Sequence, residues 1–250
     1  PDARKPAGGF PWILLAAALL VFAALIGLGT WQMQRLAWKE ELLATITERT
    51  AAAPVDLDTV LAYGRSIAEQ EYTPVTVAGV FDHTAERHFF ATWKGASGYY
   101  VYTSLHLDDG SYLFVNRGFV PFERKDASTR AEGQVPGKIT VTGLLRSALA
   151  EKPSSIVPDN EPAKNIFYWK DIRAMAASSG LPADANIKGF FLDAGPAPNP
   201  GGLPVGGVTM LDLPNNHLQY AVTWYGLAAA LLAVTVLYLV RGRRGSGRKE

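Results

Sequence analysis

The chain's 250 residues hold four histidines, His83, His88, His106 and His217, and no cysteine. Without thiols there are no disulfides, thiolate zinc sites, iron–sulfur clusters, covalent c-type haem attachments or cysteine nucleophiles. His83 and His88 flank a polar turn, Thr84-Ala85-Glu86-Arg87, and only Asp82 or Glu86 lies near enough in sequence to complete a metal site there. The plainer reading of both is a solvated loop or strand histidine. His106 alternates with Leu105 and Leu107, which turns it toward water or a partner. His217 differs, because it stands at the mouth of a long apolar run. It can cap a helix there, anchor at an interface, or bind a ligand. Ionisable groups at membrane depth are functional candidates by default, and imidazole is the usual axial ligand of haem iron.

Trp31, Arg35 and Trp38 recur at spacings of four and three, which puts them near one another on one helix face. Arg35 suits a phosphate or carboxylate, and the alternative for this trio is anchoring among lipid headgroups. In residues 115–121, Val-Asn-Arg-Gly-Phe-Val-Pro, Arg117 precedes a glycine inside a strand pattern. That is the mark of a bulge with a buried structural arginine, with a contact point as the second reading. No G-x-S-x-G elbow, P-loop, H-E-x-x-H or paired-carboxylate arrangement is present.

Two uncharged runs must position these groups, residues 12–31 and 218–240. Twenty helical residues reach about 30 Å, the thickness of a bilayer core. Arg4 and Lys5 precede the first run, and Arg241, Arg243, Arg244, Arg248 and Lys249 follow the second. The positive-inside rule then expects both tails, 1–11 and 241–250, in the cytoplasm, with 32–217 on the opposite side. The net charge of +1 is a cancellation, since the tails carry +1 and +4 and the remainder −4. Near neutrality also argues against a nucleic-acid partner.

The first helix is expected to continue over 32–53 and stop near Pro54, with a short second helix over 56–71. From Thr73 the period changes to two. Five runs, at 73–82, 87–94, 98–107, 111–120 and 138–147, predict an antiparallel sheet or small barrel, and Asp109-Gly110 is the best hairpin signal. A helix is expected over 170–179, and further strands over 186–194 and 206–213. The Gly/Pro stretch between these last strands reads as an exposed, mobile loop. The fold class is therefore a membrane α+β chain, with two transmembrane helices flanking a mainly antiparallel β domain.

The pieces together resemble the Surf-one (surfeit locus protein one) family of cytochrome c oxidase assembly factors. The resemblance rests on Gly29, Trp31, Gln32, Arg35, Trp38 and Lys39; on Val77, Gly79, Phe81 and Asp82; on residues 115–121; and on residues 215–228. Phe119 stands where many relatives carry Trp. The resemblance implies a non-enzymatic inner-membrane protein with a periplasmic or intermembrane-space domain. It also implies a role in placing haem a into subunit I of the oxidase, with His217 at the position of the family's proposed haem-binding histidine.

On that basis haem a enters between the two spans as transiently bound cargo. His217 supplies a reversible axial ligand to the haem iron. Arg35, joined by Lys39, faces the propionates, and Trp31, Trp38, Tyr220 and Trp224 pack on the macrocycle or tail. Expected partners are subunit I, the haem a synthase and membrane lipid. The rival readings are a subunit scaffold that does not handle haem, using residues 115–121 for contact, a membrane-tethered enzyme, and a two-span sensor. The tail before the first span has no Arg-rich transit stretch, which favours a bacterial inner membrane.

Overall fold

The computed structural model describes residues 12–209 and 214–246, with the side chains of 242–246 left aside. It divides into a helical unit, described over residues 12–45 and 214–246, and a β unit, described over residues 46–209.

In the helical unit, α1 (Trp12–Ala51) and α4 (His217–Ser246) are both long and apolar enough to cross a membrane. No proline interrupts either one, and α1 stops three residues before Pro54. The less exposed positions of α1 through the apolar stretch are Leu15, Ala18, Phe22, Leu25, Gly29 and Gln32, recurring every three or four residues. On α4 they are His217, Ala221, Trp224, Ala228, Leu231 and Thr235. This is the stripe by which two antiparallel helices pack along a shallow crossing. Small residues allow the approach. A Cβ on Gly29 would lie 2.6 Å from the Tyr225 ring, and the hydroxyls of Thr30 and Tyr225 meet at 3.2 Å. Leu19, Leu20, Val234 and Leu237 point outward, where a bilayer would cover them.

The β unit is built on β2 (Pro74–Trp93), a single strand where the sequence pattern suggests two. The strands run β1 (Val55–Asp56), β2, β3 (Ala96–Leu107), β4 (Tyr112–Pro121), β5 (Lys138–Ser147) and β6 (Ile187–Ala194). Their spatial order is β1-β2-β3-β4-β6-β5, and β5 pairs back onto β2. The last pairing closes a ring, so the expected small barrel is present. The β1–β2 and β4–β6 pairs are parallel and the rest antiparallel. The hairpin at Asp109-Gly110 forms as the turn residues suggest. Gly110 takes a φ of 79°, and Asp109 accepts from the backbone N–H of Ser111 at 2.9 Å.

Alternation along the strands sends Val75, Val77, Leu105, Leu113, Val115 and Leu192 to one face, where Leu57 and Val60 of α2 (Leu57–Ala62) join them. The opposite face carries Tyr102, Phe114 and Phe191 beneath α3 (Ile172–Ser178). Asp171 caps α3 by accepting from the N–H groups of Arg173 and Ala174. α2 is shorter than its polar-apolar pattern suggests, because the chain after it turns at Gly64 with φ 66°.

Two expectations need correction. Residues 206–209 form no strand, and 210–213 lie outside the described residues. Gly207 instead takes a φ of 68° and donates its N–H to the Ala194 carbonyl at 3.1 Å. Nor is the Gly/Pro stretch simply exposed. Val205 exchanges two backbone hydrogen bonds with Phe119, both 2.9 Å, and Pro204 is buried.

Candidate functional site

The first residue of α4 is His217, and its imidazole Nδ1 lies 2.7 Å from Gln32 Oε1 on α1. Three residues upstream, the Pro214 carbonyl accepts from the Lys39 ammonium. Gln32 is nine-tenths buried in the helix-packing stripe, and His217 is half-buried at its end. The arrangement follows from the sequence locally. Gln32 falls on the stripe three residues after Gly29, and His217 opens α4 four residues before the buried Ala221.

The other predicted residues lie on the same two helices, α1 and α4. Arg35 lays its guanidinium 4.4 Å above the Trp38 ring, so those two are brought together as the spacing suggests. Trp31, Trp38 and Tyr220 are each more than half exposed, at 53, 51 and 55%. Trp224 is half-buried on the packing stripe. Exposed indole and phenol rings beside a guanidinium and an imidazole suit a flat, amphipathic, anionic ligand. Gln32 is the residue that sequence reasoning passed over. The signal was its place in the three-and-four repeat, where an amide is out of keeping with its apolar neighbours.

A second polar constellation lies in the β unit. The register of β2 against β3 shifts between Asp82 and Arg87, so that residues 83–86 bulge against Thr103 alone. The bulge turns Glu86 inward. Its carboxylate takes both arms of Arg130, at 3.0 and 2.5 Å, with Arg117 at 3.6 Å. His83 donates from Nε2 to the Val135 carbonyl at 2.9 Å. His88 is buried, contrary to its reading as a solvated histidine, because the bulge rolls residues 85–88 into the interior. Burial lowers its pKa to about 4, against the opposing pull of Glu86, with Arg130, Lys125 and Arg87 adding to the depression. His106 stays exposed and stacks on Tyr112, with ring centres 4.7 Å apart.

Arg117 is the buried structural arginine of a bulge. The β3–β4 register shifts between Tyr100 and Tyr102, so Arg117 and Gly118 together oppose Val101. The side chain of Arg117 is 1% exposed, donates to the Gly133 carbonyl and lies over the Phe81 ring. Desolvation pushes its pKa down to about 10. Residues 115–120 are buried throughout, so this segment offers little to a partner surface. The cluster therefore staples β2, β4 and the loop after β4 together. Among the described residues, no group of three or more His, Asp or Glu side chains is placed to hold a bare metal ion.

The sequence profile of the SURF1 family matches residues 19–229. The chain belongs to the SURF1 family. Human Surfeit locus protein 1 is 36% identical over 94% of this chain and 79% of its own length. The rat Surfeit locus protein 1 is 37% identical over 88% of this chain and 72% of its own length. A SURF1-like protein of Monosiga brevicollis is 37% identical over 98% and 93%. SURF1 proteins are non-enzymatic assembly factors of cytochrome c oxidase. The matched region takes in Gln32, Arg35 and His217, and the whole β unit. SURF1 membership and the two long apolar helices make this a membrane protein.

Proposed function

We propose that this SURF1-family chain binds haem a at the outer end of the helical pair and assists its insertion into subunit I of cytochrome c oxidase. The observation that carries the reading is the half-buried His217 imidazole, held by Gln32 beside Arg35 and exposed aromatic rings. A single imidazole ligates haem iron reversibly, which suits a protein that must give its cargo up. Arg35 offers charge to a propionate, and Trp31, Trp38, Tyr220 and Trp224 offer flat apolar area to the macrocycle and its tail.

The basic residues at both ends of the chain favour cytoplasmic or matrix tails. Residues 32–217 then lie in the periplasm or intermembrane space. The membrane is the one that holds the oxidase, the inner membrane of a bacterium or of a mitochondrion. Subunit I is the receiving partner, and the haem a synthase is the partner that would deliver the cargo.

The test is the visible spectrum of the full chain purified from cells making haem a. A haem band in the wild type that is lost or altered in His217→Ala supports the reading. Haem content and spectrum unchanged in that variant would remove His217 from the ligand role. A wild-type protein that never carries haem yet captures subunit I would point to a scaffold.

A further inference from the structure

An imidazole has two nitrogens, and in His217 they face different surroundings. Nδ1 lies 2.7 Å from Gln32 Oε1. Among the described residues, Nε2 has no hydrogen-bond partner. A carbonyl oxygen can only accept, so the Nδ1 of His217 carries the proton in this contact. A neutral imidazole holds one ring proton, which leaves the Nε2 lone pair bare. Gln32 is nine-tenths buried in the helix-packing stripe. A buried amide is costly without a partner, so the contact satisfies Gln32 and restrains the ring of His217 together.

We propose that Gln32 is a positioning residue, which fixes the tautomer and ring orientation of His217 so that Nε2 is presented to haem iron. The proposal rests on the reading of His217 as the axial ligand. Metal-bound histidines commonly donate their second ring N–H to a carboxylate, carbonyl or water, and the acceptor tunes the ligand. A carboxylate acceptor would draw the proton and give the ring imidazolate character, making a stronger ligand. A neutral amide leaves a ligand of moderate strength, in keeping with cargo that is handed on.

The test uses the full chain in lipid nanodiscs, with 15N-labelled histidine rings. Without haem, NMR reads the tautomer of His217 directly, its signal assigned by loss in His217→Ala. The expected state is Nδ1-protonated in the wild type and a shift toward the Nε2-protonated form in Gln32→Leu. An Nε2-protonated wild type, or an unchanged tautomer balance in Gln32→Leu, overturns the proposal.

With haemin as probe, Gln32→Leu is expected to weaken binding about 10–100-fold. Gln32→Glu retains binding, lowers the reduction potential and raises the iron–histidine stretching frequency. This second variant preserves the helix contact and carries the test even if Gln32→Leu assembles poorly. Loss of haem in His217→Ala, with wild-type affinity and iron–histidine frequency in both Gln32 variants, overturns the positioning role alone. Binding unaffected by His217→Ala overturns the ligand reading and the haem role of Gln32 with it.

Discussion

Arg130 grips the Glu86 carboxylate with both arms of its guanidinium, at 3.0 and 2.5 Å, and both side chains are at least 95% removed from water. The pair joins the inward bulge of β2 to the loop that follows β4. Removing Glu86 strands the buried Arg130 and Arg117, and removing Arg130 leaves Glu86 with only the longer contact to Arg117 at 3.6 Å. We expect Arg130→Leu or Glu86→Leu alone to destabilise the protein by about 3–5 kcal/mol. The double variant should recover only part of that loss, because Arg117, 3.6 Å from Glu86, is then left without its counter-charge. Denaturant unfolding of the four proteins in detergent, arranged as a double-mutant cycle, measures the coupling.

His88 makes stability depend on pH. Its folded pKa, about 4, lies below the ordinary 6.5, because burial disfavours the charged ring. The unfolded chain therefore binds more protons across that interval, so stability falls as pH drops from about 6.5 to about 4. Above about 6.5 the contribution is fully present, and below about 4 it changes no further. The span corresponds to roughly 3 kcal/mol. In His88→Gln the slope in this window should flatten, read from unfolding midpoints at half-unit pH steps. An unaltered slope would assign the dependence to other groups.

Gly118 sits at φ 128°, and a Cβ there would lie 2.0 Å from the Val205 carbonyl oxygen. Gly118→Ala combines backbone strain of about 1–3 kcal/mol with a clash at the point where Val205 pairs with Phe119. The expected result is release of residues 196–207 from β4. Limited proteolysis should show new cleavage there in the variant and none in the wild type under the same conditions.

Gly29 has the same character in the helical pair, with the Tyr225 ring 2.6 Å from where a Cβ would stand. Gly29→Val should separate the two helices at that level. The chain has no native cysteine, so a Gln32→Cys, His217→Cys protein, which keeps the Tyr225 ring, gives a clean cross-linking readout at another point of contact between the two helices. Disulfide yield should drop several-fold when Gly29→Val is added.

Much of the architecture is legible in local pattern. Residues 12–31 and 218–240 declare themselves by length and lack of charge, and β5 follows its apolar alternation at Lys138–Ser147. The bulge reading of Arg117-Gly118 needs only the glycine after the arginine. What escapes the pattern is long-range. His88 looks solvated because its neighbours Glu86 and Arg87 are charged, and nothing nearby announces that Arg130, 44 residues from Glu86, will neutralise the carboxylate. The Gly/Pro loop looks free because its anchor, Phe119, lies on a strand far upstream. The contact of Gln32 with His217 spans 185 residues, and each member alone reads as an interfacial polar group.

The ring closure described above bears on how the domain comes into being. β2 is complete by residue 93, yet the gap between β4 and β5 is filled only by β6, residues 187–194. Pairing across such distances in sequence makes for slow folding. Until the sixth strand arrives, β4 keeps one edge unpaired and the cylinder stays open. That interval is when the nascent domain, an incomplete cylinder, is open to misassociation.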